Sequence, residues 1–343
     1  MFDHDAIAAQ LDDQVILITG GTGSLGQRLT EIILRDYHPR KLIIFSRDEL
    51  KQFEMRQRFS ERAHPCLRYF IGDVRDKDRL LRAFDGVDVV VHAAALKQVP
   101  SCESNPLEAV KTNILGAANV IDAAIDRDVG RVIALSSDKA ASPCNLYGAT
   151  KLCADKLFTA AHHYVGYHRT RFAVVRYGNV VGSRGSVVPL FQKLRSTGVL
   201  PITDPRMTRF WLTIDQGVEF VLRSLTRTHG GETFVPKIPS MNLLDLARAI
   251  GPDCRYETVG IRPGEKLHEV LLTEDDARQA LEYEDYYALL PHCEPVDYQC
   301  FMLQTGGRPL PEGFRFSSDA NSDWLSVEDL RQLLQFSEAR LVA

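Results

Sequence analysis

The chain has 343 residues, 45% of them hydrophobic and 25% charged, an ordinary globular composition with enough apolar material for one large or two modest cores. A net charge of −4 and a sequence pI near 6.2 argue against a general nucleic-acid or membrane-surface binder, and no apolar run approaches the roughly 18 residues of a membrane span. The seven cysteines are scattered without CxxC or His/Cys ligand spacing, and the acidic start MFDHDAIAAQLDD is not a signal peptide, so the expectation is a cytoplasmic protein with reduced thiols and no bound metal.

Residues 14–19, QVILIT, form a short continuous apolar run, the pattern of a strand buried on both faces. The run leads into Gly20-Gly21-Thr22-Gly23-Ser24-Leu25-Gly26, which fits both GxxGxxG and GxGxxG, and then into helical QRLTEIILRDY. Glycines at such a turn let the backbone approach a pyrophosphate, which sits at the positive N-terminus of the helix. Thr19, Gly20, Thr22, Gly23, Ser24, Leu25 and Gly26 therefore predict a dinucleotide cradle.

A second strand, 41–45, ends at Ser46-Arg47-Asp48-Glu49-Leu50-Lys51. An acid at this strand end suits the ribose hydroxyl of NAD, and cations suit the 2′-phosphate of NADP. Ser46, Arg47 and Lys51 favour NADP; Asp48 is the competing acid, and Ser46 with Glu49 also reads as a helix capping box. Strand 67–71 ends at Asp73 and Val74, placed either at an adenine edge or simply in a turn. Strand 87–91 leads to His92-Ala93-Ala94-Ala95, where Ala93 and Ala94 let the backbone lie against a cofactor, and on to Lys97, which is either solvated or turned towards a sugar. A helix is expected over about 105–128.

Residues 132–151, VIALSSDKAASPCNLYGATK, place Asp138, Lys139, Tyr147 and Lys151 within fourteen positions after a buried strand. Ser142 and Pro143 read as N-cap and first residue of a helix. Tyr147 and Lys151, four apart, would share one face of it, and a nearby ammonium lowers a phenol pKa from about 10. Asp138 and Lys139 can face one substrate only if the chain leaves extended geometry there. A carboxyl and an amine at one sugar suit an elimination; a surface ion pair is the plainer alternative.

A sixth strand, 172–176, completes an expected α/β doubly wound parallel sheet with a ligand crevice at its carboxyl ends. We place the nucleotide-binding domain at 1–180. Residues 181–343 form a smaller substrate-binding part and tail, with room for a strand returning to the core. In it, 182–186 and 203–210 read as loops over the crevice, Ser240 as the cap of a short helix, and Arg262 as a diphosphate ligand. SVEDLRQLLQF reads as a closing helix with Leu330, Leu333 and Leu334 inward.

Taken in order, TGGTGSLG, FSRDELKQ, HAAALKQVP, SSDKAASPCNLYGATK, RYGNVVGSRGSV, DPRMTRFW and GIRPGEKLHE resemble the extended short-chain dehydrogenase/reductase superfamily. Within it the chain resembles the inverting UDP-N-acetylglucosamine 4,6-dehydratases of pseudaminic acid synthesis. Related retaining enzymes usually carry methionine where this chain has Tyr147. The resemblance implies that Tyr147, aided by Lys151, is the base at the C4 hydroxyl while NADP takes the hydride. Lys139 would remove the C5 proton and Asp138 protonate the leaving C6 hydroxyl. It also implies that Lys97, Tyr147, Asn179, Arg184, Arg206, Arg209, Arg262 and Glu265 surround a UDP-sugar, with Gln98 standing where histidine is expected. A homo-oligomer built from dimers, up to a hexamer, is implied as well. A nucleotide-sugar 4-epimerase and a catalytically idle NADP-binding regulator are the competing readings.

Overall fold

The computed structural model describes residues 4–181, 187–291 and 295–341. A first helix, α1 (His4–Leu11), precedes β1 (Val15–Thr19), α2 (Ser24–Asp36), β2 (Lys41–Ser46), α3 (Glu49–Arg58), β3 (Leu67–Ile71), α4 (Lys77–Ala83) and β4 (Val89–His92). Next come α5 (Val99–Ser104), α6 (Pro106–Val110), a π turn (Lys111–Leu115) and α7 (Gly116–Asp126). They lead to β5 (Arg131–Leu135), a 3-10 turn (Asp138–Ala140), α8 (Leu146–Ala161) and β6 (Arg171–Val175).

The sheet order β3-β2-β1-β4-β5-β6 is parallel throughout. After β3 the chain returns to the far side of β1, so the order reverses between β1 and β4 and opens a crevice at their carboxyl ends. Both faces of this sheet are covered, which explains the unbroken apolar strands. In β1, Ile16 and Ile18 join one core with Leu29 and Ile33 of α2, while Val15 and Leu17 join the other with Val120 of α7 and Phe158 of α8.

The sheet does not end at residue 176. The chain continues through β7 (Asn179–Val180), α9 (Val187–Leu194), β8 (Val199–Ile202), β9 (Thr208–Leu212) and α10 (Ile214–Arg227) to β10 (Glu232–Pro236), which lies parallel to β6. Then follow β11 (Ser240–Asn242), α11 (Leu243–Ile250), β12 (Arg255–Thr258), β13 (Val270–Leu272) and α12 (Glu274–Ala277). The last elements are β14 (Ala280–Glu282), β15 (Tyr286–Leu289), α13 (Pro295–Thr305), β16 (Arg308–Pro309), β17 (Phe316–Ser317) and α14 (Val327–Leu341). Strands β15, β14 and β16 extend the sheet antiparallel to ten strands. A third core packs Phe191 of α9, Leu200 of β8, Leu246 of α11 and Leu330 and Leu334 of α14. Among the described residues, no helix is long and apolar enough to cross a membrane.

Several local expectations change. Helix α8 starts at Leu146 with Asn145 as N-cap, whose side chain accepts from the Gly148 amide, while Ser142 takes a left-handed φ of 48° in the preceding loop. Asp48, not Ser46, caps α3, and Asn242, not Ser240, caps α11. Ser240 is instead held in β11, opposite Phe210. The helix expected over 105–128 is interrupted by the π turn. There the Asn113 side chain bonds both the amide and carbonyl of Leu96 and donates to Thr150 Oγ1 at 2.9 Å.

Candidate active site

The crevice is a cavity of about 800 Å³. Its floor at one end is the turn from β1 into α2, where Gly20, Thr22, Gly23, Ser24, Leu25 and Gly26 all line the cavity. A Cβ on Gly26 would lie 2.5 Å from the Gly21 carbonyl oxygen, so only glycine lets the first turn of α2 close on the loop. Thr19 lies beneath the cavity instead of lining it: its hydroxyl meets His92 Nδ1 at 2.8 Å and accepts from the Ala94 amide at 3.3 Å. Ala93, Ala94, Asp73 and Val74 line the cavity as well, with the Ala94 backbone packed against Gly20. This backbone-lined groove at a helix N-terminus fits a nicotinamide dinucleotide.

At the end of β2, Ser46, Arg47 and Lys51 line the same cavity. Asp48 does too, but its carboxylate accepts the Lys51 amide at 3.0 Å and pairs with Lys51 Nζ at 2.9 Å. Those hydrogen bonds hold its carboxyl below the usual range. Arg47 sits 3.8 Å from Asp73.

Asp138, Lys139, Tyr147 and Lys151 meet at the other end. The chain leaves extended geometry after β5 in the 3-10 turn, which lets neighbours Asp138 and Lys139 serve one space. Helix α8 packs under this turn through Gly148, where a Cβ would strike the Lys139 carbonyl oxygen. Asp138 is buried; its Oδ1 accepts from Ser137 Oγ at 2.7 Å and Lys139 Nζ at 3.1 Å. Its Oδ2 has no hydrogen-bond partner among the described residues.

The electrostatics of Tyr147 differ from expectation. Burial pushes its phenol up to about 12, opposed by the Lys139 ammonium and a hydrogen bond with Ser137. Lys151 directs Nζ to the Leu135 carbonyl at 2.6 Å, and burial lowers its proton affinity against the pull of Asp155. Lys139, whose proton affinity burial lowers and Asp138 and Glu269 together raise further, ends up held as an ammonium.

Of the residues expected around a sugar nucleotide, Lys97, Tyr147 and Asn179 line the cavity. Burial lowers the proton affinity of Lys97. Arg209 stands just outside, 3.7 Å from Glu269, and donates to the carbonyls of Thr208, Lys266 and Leu267. Arg206 is exposed and paired with Asp204 at 2.8 Å, and Arg262, also exposed, is 3.9 Å from Glu265. Neither Arg206, Arg262 nor Glu265 lines the cavity. Arg184 lies outside the described residues.

Sequence reasoning missed Ser137, Thr112, Tyr177 and Ile214, which also line the cavity, and Glu269 behind Lys139. Ser137 stands just after the apolar strand run, where a serine reads only as the end of a strand. Glu269 closes the GIRPGEKLHE run, 130 residues downstream of the turn that it meets, and nothing in that run shows its contact with Lys139.

A doubly wound parallel sheet, a dinucleotide cradle and a buried Tyr/Lys pair beside it define an extended short-chain dehydrogenase/reductase. The chain belongs to the polysaccharide biosynthesis protein family, whose profile matches residues 16–291. It is 54% identical, over 94% of its length and 98% of the relative's, to the UDP-N-acetylglucosamine 4,6-dehydratase (inverting) of Campylobacter jejuni subsp. jejuni serotype O:2. It is also 38% identical to a UDP-glucose 4-epimerase of Rickettsia conorii, over 94% of this chain and 95% of that one. The X-ray structure of Pen from Bacillus thuringiensis superposes with a TM-score of 0.85 at 37% identity, covering 95% of this chain and 99% of that one.

Proposed function

We propose that this chain catalyses the inverting 4,6-dehydration of UDP-N-acetylglucosamine, using NADP and yielding UDP-2-acetamido-2,6-dideoxy-β-L-arabino-hex-4-ulose. The observation that carries the reading is the Asp138–Lys139 turn set against Tyr147 in one cavity with the dinucleotide cradle. The 54% identity to an enzyme named for this activity supports the same reaction.

When bound, the nicotinamide supplies a two-electron store, accepting hydride from C4 and returning it at C6. The chain's own residues handle protons. Tyr147 as the phenolate takes the C4 hydroxyl proton, with the Lys139 ammonium opposing the rise in its proton affinity and Lys151 supporting the site from Leu135. The C4 ketone acidifies C5–H; once Lys139 has passed a proton to Asp138 across their 3.1 Å contact, the neutral amine takes the C5 proton. Asp138 in its acid form gives a proton to the departing C6 hydroxyl, which leaves as water. A solvent-derived proton delivered to C5 from the opposite face inverts the centre. Of the expected substrate ligands, Lys97, Tyr147 and Asn179 are the three whose place in the cavity supports a sugar contact.

The NADP assignment rests on Ser46, Arg47 and Lys51 at the mouth, with Asp48 engaged as the α3 cap and therefore a poor ribose ligand. We further propose a nucleotide-binding part over 1–180, a substrate-binding part beyond it, a cytoplasmic homo-oligomer built from dimers, and a product destined for pseudaminic acid.

The test is incubation with UDP-N-acetylglucosamine in D2O followed by proton NMR. A new C6 methyl signal, deuterium at C5 and couplings of the L-arabino ring are expected; Lys139→Ala should remove them. The Rickettsia relative favours a second reading, a 4-epimerase. That enzyme would need Tyr147 and Lys151 but leave Asp138 and Lys139 without a task, and a 4-epimer as sole product would establish it.

A further inference from the structure

Glu269 stands immediately before β13, with its backbone pinned at both groups: its amide donates to Ser318 Oγ at 2.9 Å, and its carbonyl accepts from the Ser318 amide at 2.8 Å. The side chain is only 3% exposed. Its Oε1 lies 3.3 Å from Lys139 Nζ and 3.7 Å from Arg209 Nε, and its Oε2 lies 3.8 Å from Lys266 Nζ. Lys139 is thus held between Asp138 on its own turn and Glu269 at the entry to β13, facing Arg209 of β9 and Tyr147 of α8 as well.

We propose that Glu269 is a positioning residue of the dehydration, fixing the Lys139 nitrogen opposite Asp138 and governing how readily that nitrogen releases its proton. The inference rests on the dehydratase reading above. Three cations and two carboxylates make up the cluster. Without Glu269, one carboxylate remains to face three cations, so Lys139 keeps the repulsion of Arg209 and loses one of its two attractive partners. A structural ion pair alone would leave its acceptors bonded, yet Glu269 Oε2 is buried without a hydrogen-bond partner among the described residues. A carboxylate left partly unsatisfied against a lysine that reaches the cavity favours tuning of that lysine over simple bracing.

The direction follows from the chemistry. A lysine base works only when neutral, so C5 deprotonation rises with pH through the lysine's titration. Removing a nearby anion shifts that titration, and the acid limb of the rate profile, to lower pH, by about one unit for charges this close. The same change frees the ammonium from its fixed place and lowers the plateau, roughly tenfold for lost orientation.

The experiment compares the wild-type protein with Glu269→Gln and Glu269→Asp. C5 deuterium wash-in to the 4-keto sugar is followed by NMR across pH, and C4 oxidation by the absorbance of reduced nicotinamide on mixing with UDP-N-acetylglucosamine. Glu269→Gln should slow C4 oxidation, which Lys139 assists through the Tyr147 phenolate, less than it lowers the C5 plateau, while its C5 limb moves down. Glu269→Asp, which keeps the charge one methylene further back, should show a smaller shift in the same direction. An unmoved limb and plateau in both variants overturns the proposal, as does an equal fall in C4 oxidation and C5 exchange. If Glu269→Gln does not fold, a wild-type profile in Glu269→Asp is the overturning result. Absence of any C6 methyl or C5 deuterium with the wild-type protein instead overturns the dehydratase reading itself.

Discussion

His92 ends β4 directly under the cradle, and its burial predicts a specific acid sensitivity. The ring is 3% exposed and packs 5.5 Å from the Phe158 ring. The Thr19 hydroxyl oxygen accepts the Ala94 amide and lies 2.8 Å from His92 Nδ1, a contact that a neutral ring makes in either tautomer. Burial first, and Lys151 second, push His92 down to about 3. In the unfolded chain its pKa is about 6.5. The folded state therefore refuses a proton that the unfolded state takes. The stability from this neutral ring is complete above pH 6.5 and drains away as pH falls towards 3. Each unit is worth about 1.4 kcal/mol, so a two-unit descent to about pH 4.5 costs on the order of 2–3 kcal/mol. The control is His92→Asn, whose Oδ1 can accept from Thr19 but cannot titrate. Urea unfolding of both proteins at about pH 7.5 and pH 4.5 should show the wild type losing roughly 2–3 kcal/mol more than the variant on acidification. Equal losses in the two, within about 0.5 kcal/mol, would refute the reasoning, because other titrating groups are common to both proteins.

Gly26→Ala puts a Cβ 2.5 Å from the Gly21 oxygen, an overpacking that costs about 1–3 kcal/mol; equilibrium dialysis should show dinucleotide affinity falling with it, and unchanged affinity would mean that the loop relaxes. Arg176 is buried between Asp155 at 3.3 Å and Asp276 at 3.0 Å. Arg176→Met strips the buried Asp155 of its guanidinium, leaving it the Ser136 hydroxyl and the Lys151 charge, and should lose about 3 kcal/mol in denaturant unfolding, with part recovered by adding Asp155→Asn. Arg47→Ala should weaken NADPH binding, measured by nicotinamide fluorescence, and leave NADH binding nearly unchanged; equal losses for both would remove the NADP preference.

Local signals were legible where the physics is local. The β1 run and the glycine turn are readable because a strand buried on both faces needs an unbroken apolar stretch and the α2 turn needs close backbone contact. The inward Leu330 and Leu334 of α14 follow from helical spacing for the same reason. The start of α8 was misread because Ser-Pro is only a local preference. The loop uses Ser142 for a left-handed residue, and Asn145 supplies the cap. The π turn within 111–115 had no pattern of its own, since its cause is the distant demand of Leu96 and Thr150 on the Asn113 side chain.

The cation beside Tyr147 shows where spacing stops being informative. Four-residue spacing on α8 names Lys151, and both side chains do reach one cavity. Yet Lys151 is drawn to the free carbonyl at the end of β5, and the charge that opposes the rise in the Tyr147 pKa comes from Lys139 in the 3-10 turn. That lysine is in turn held by Glu269, which the fold delivers from β13 through its pairing with β17. The electrostatics of the phenol therefore depend on contacts across three separate parts of the chain. Periodicity could name the reactive groups but not their couplings, because burial sets the strength of each charge and long-range packing chooses its partner.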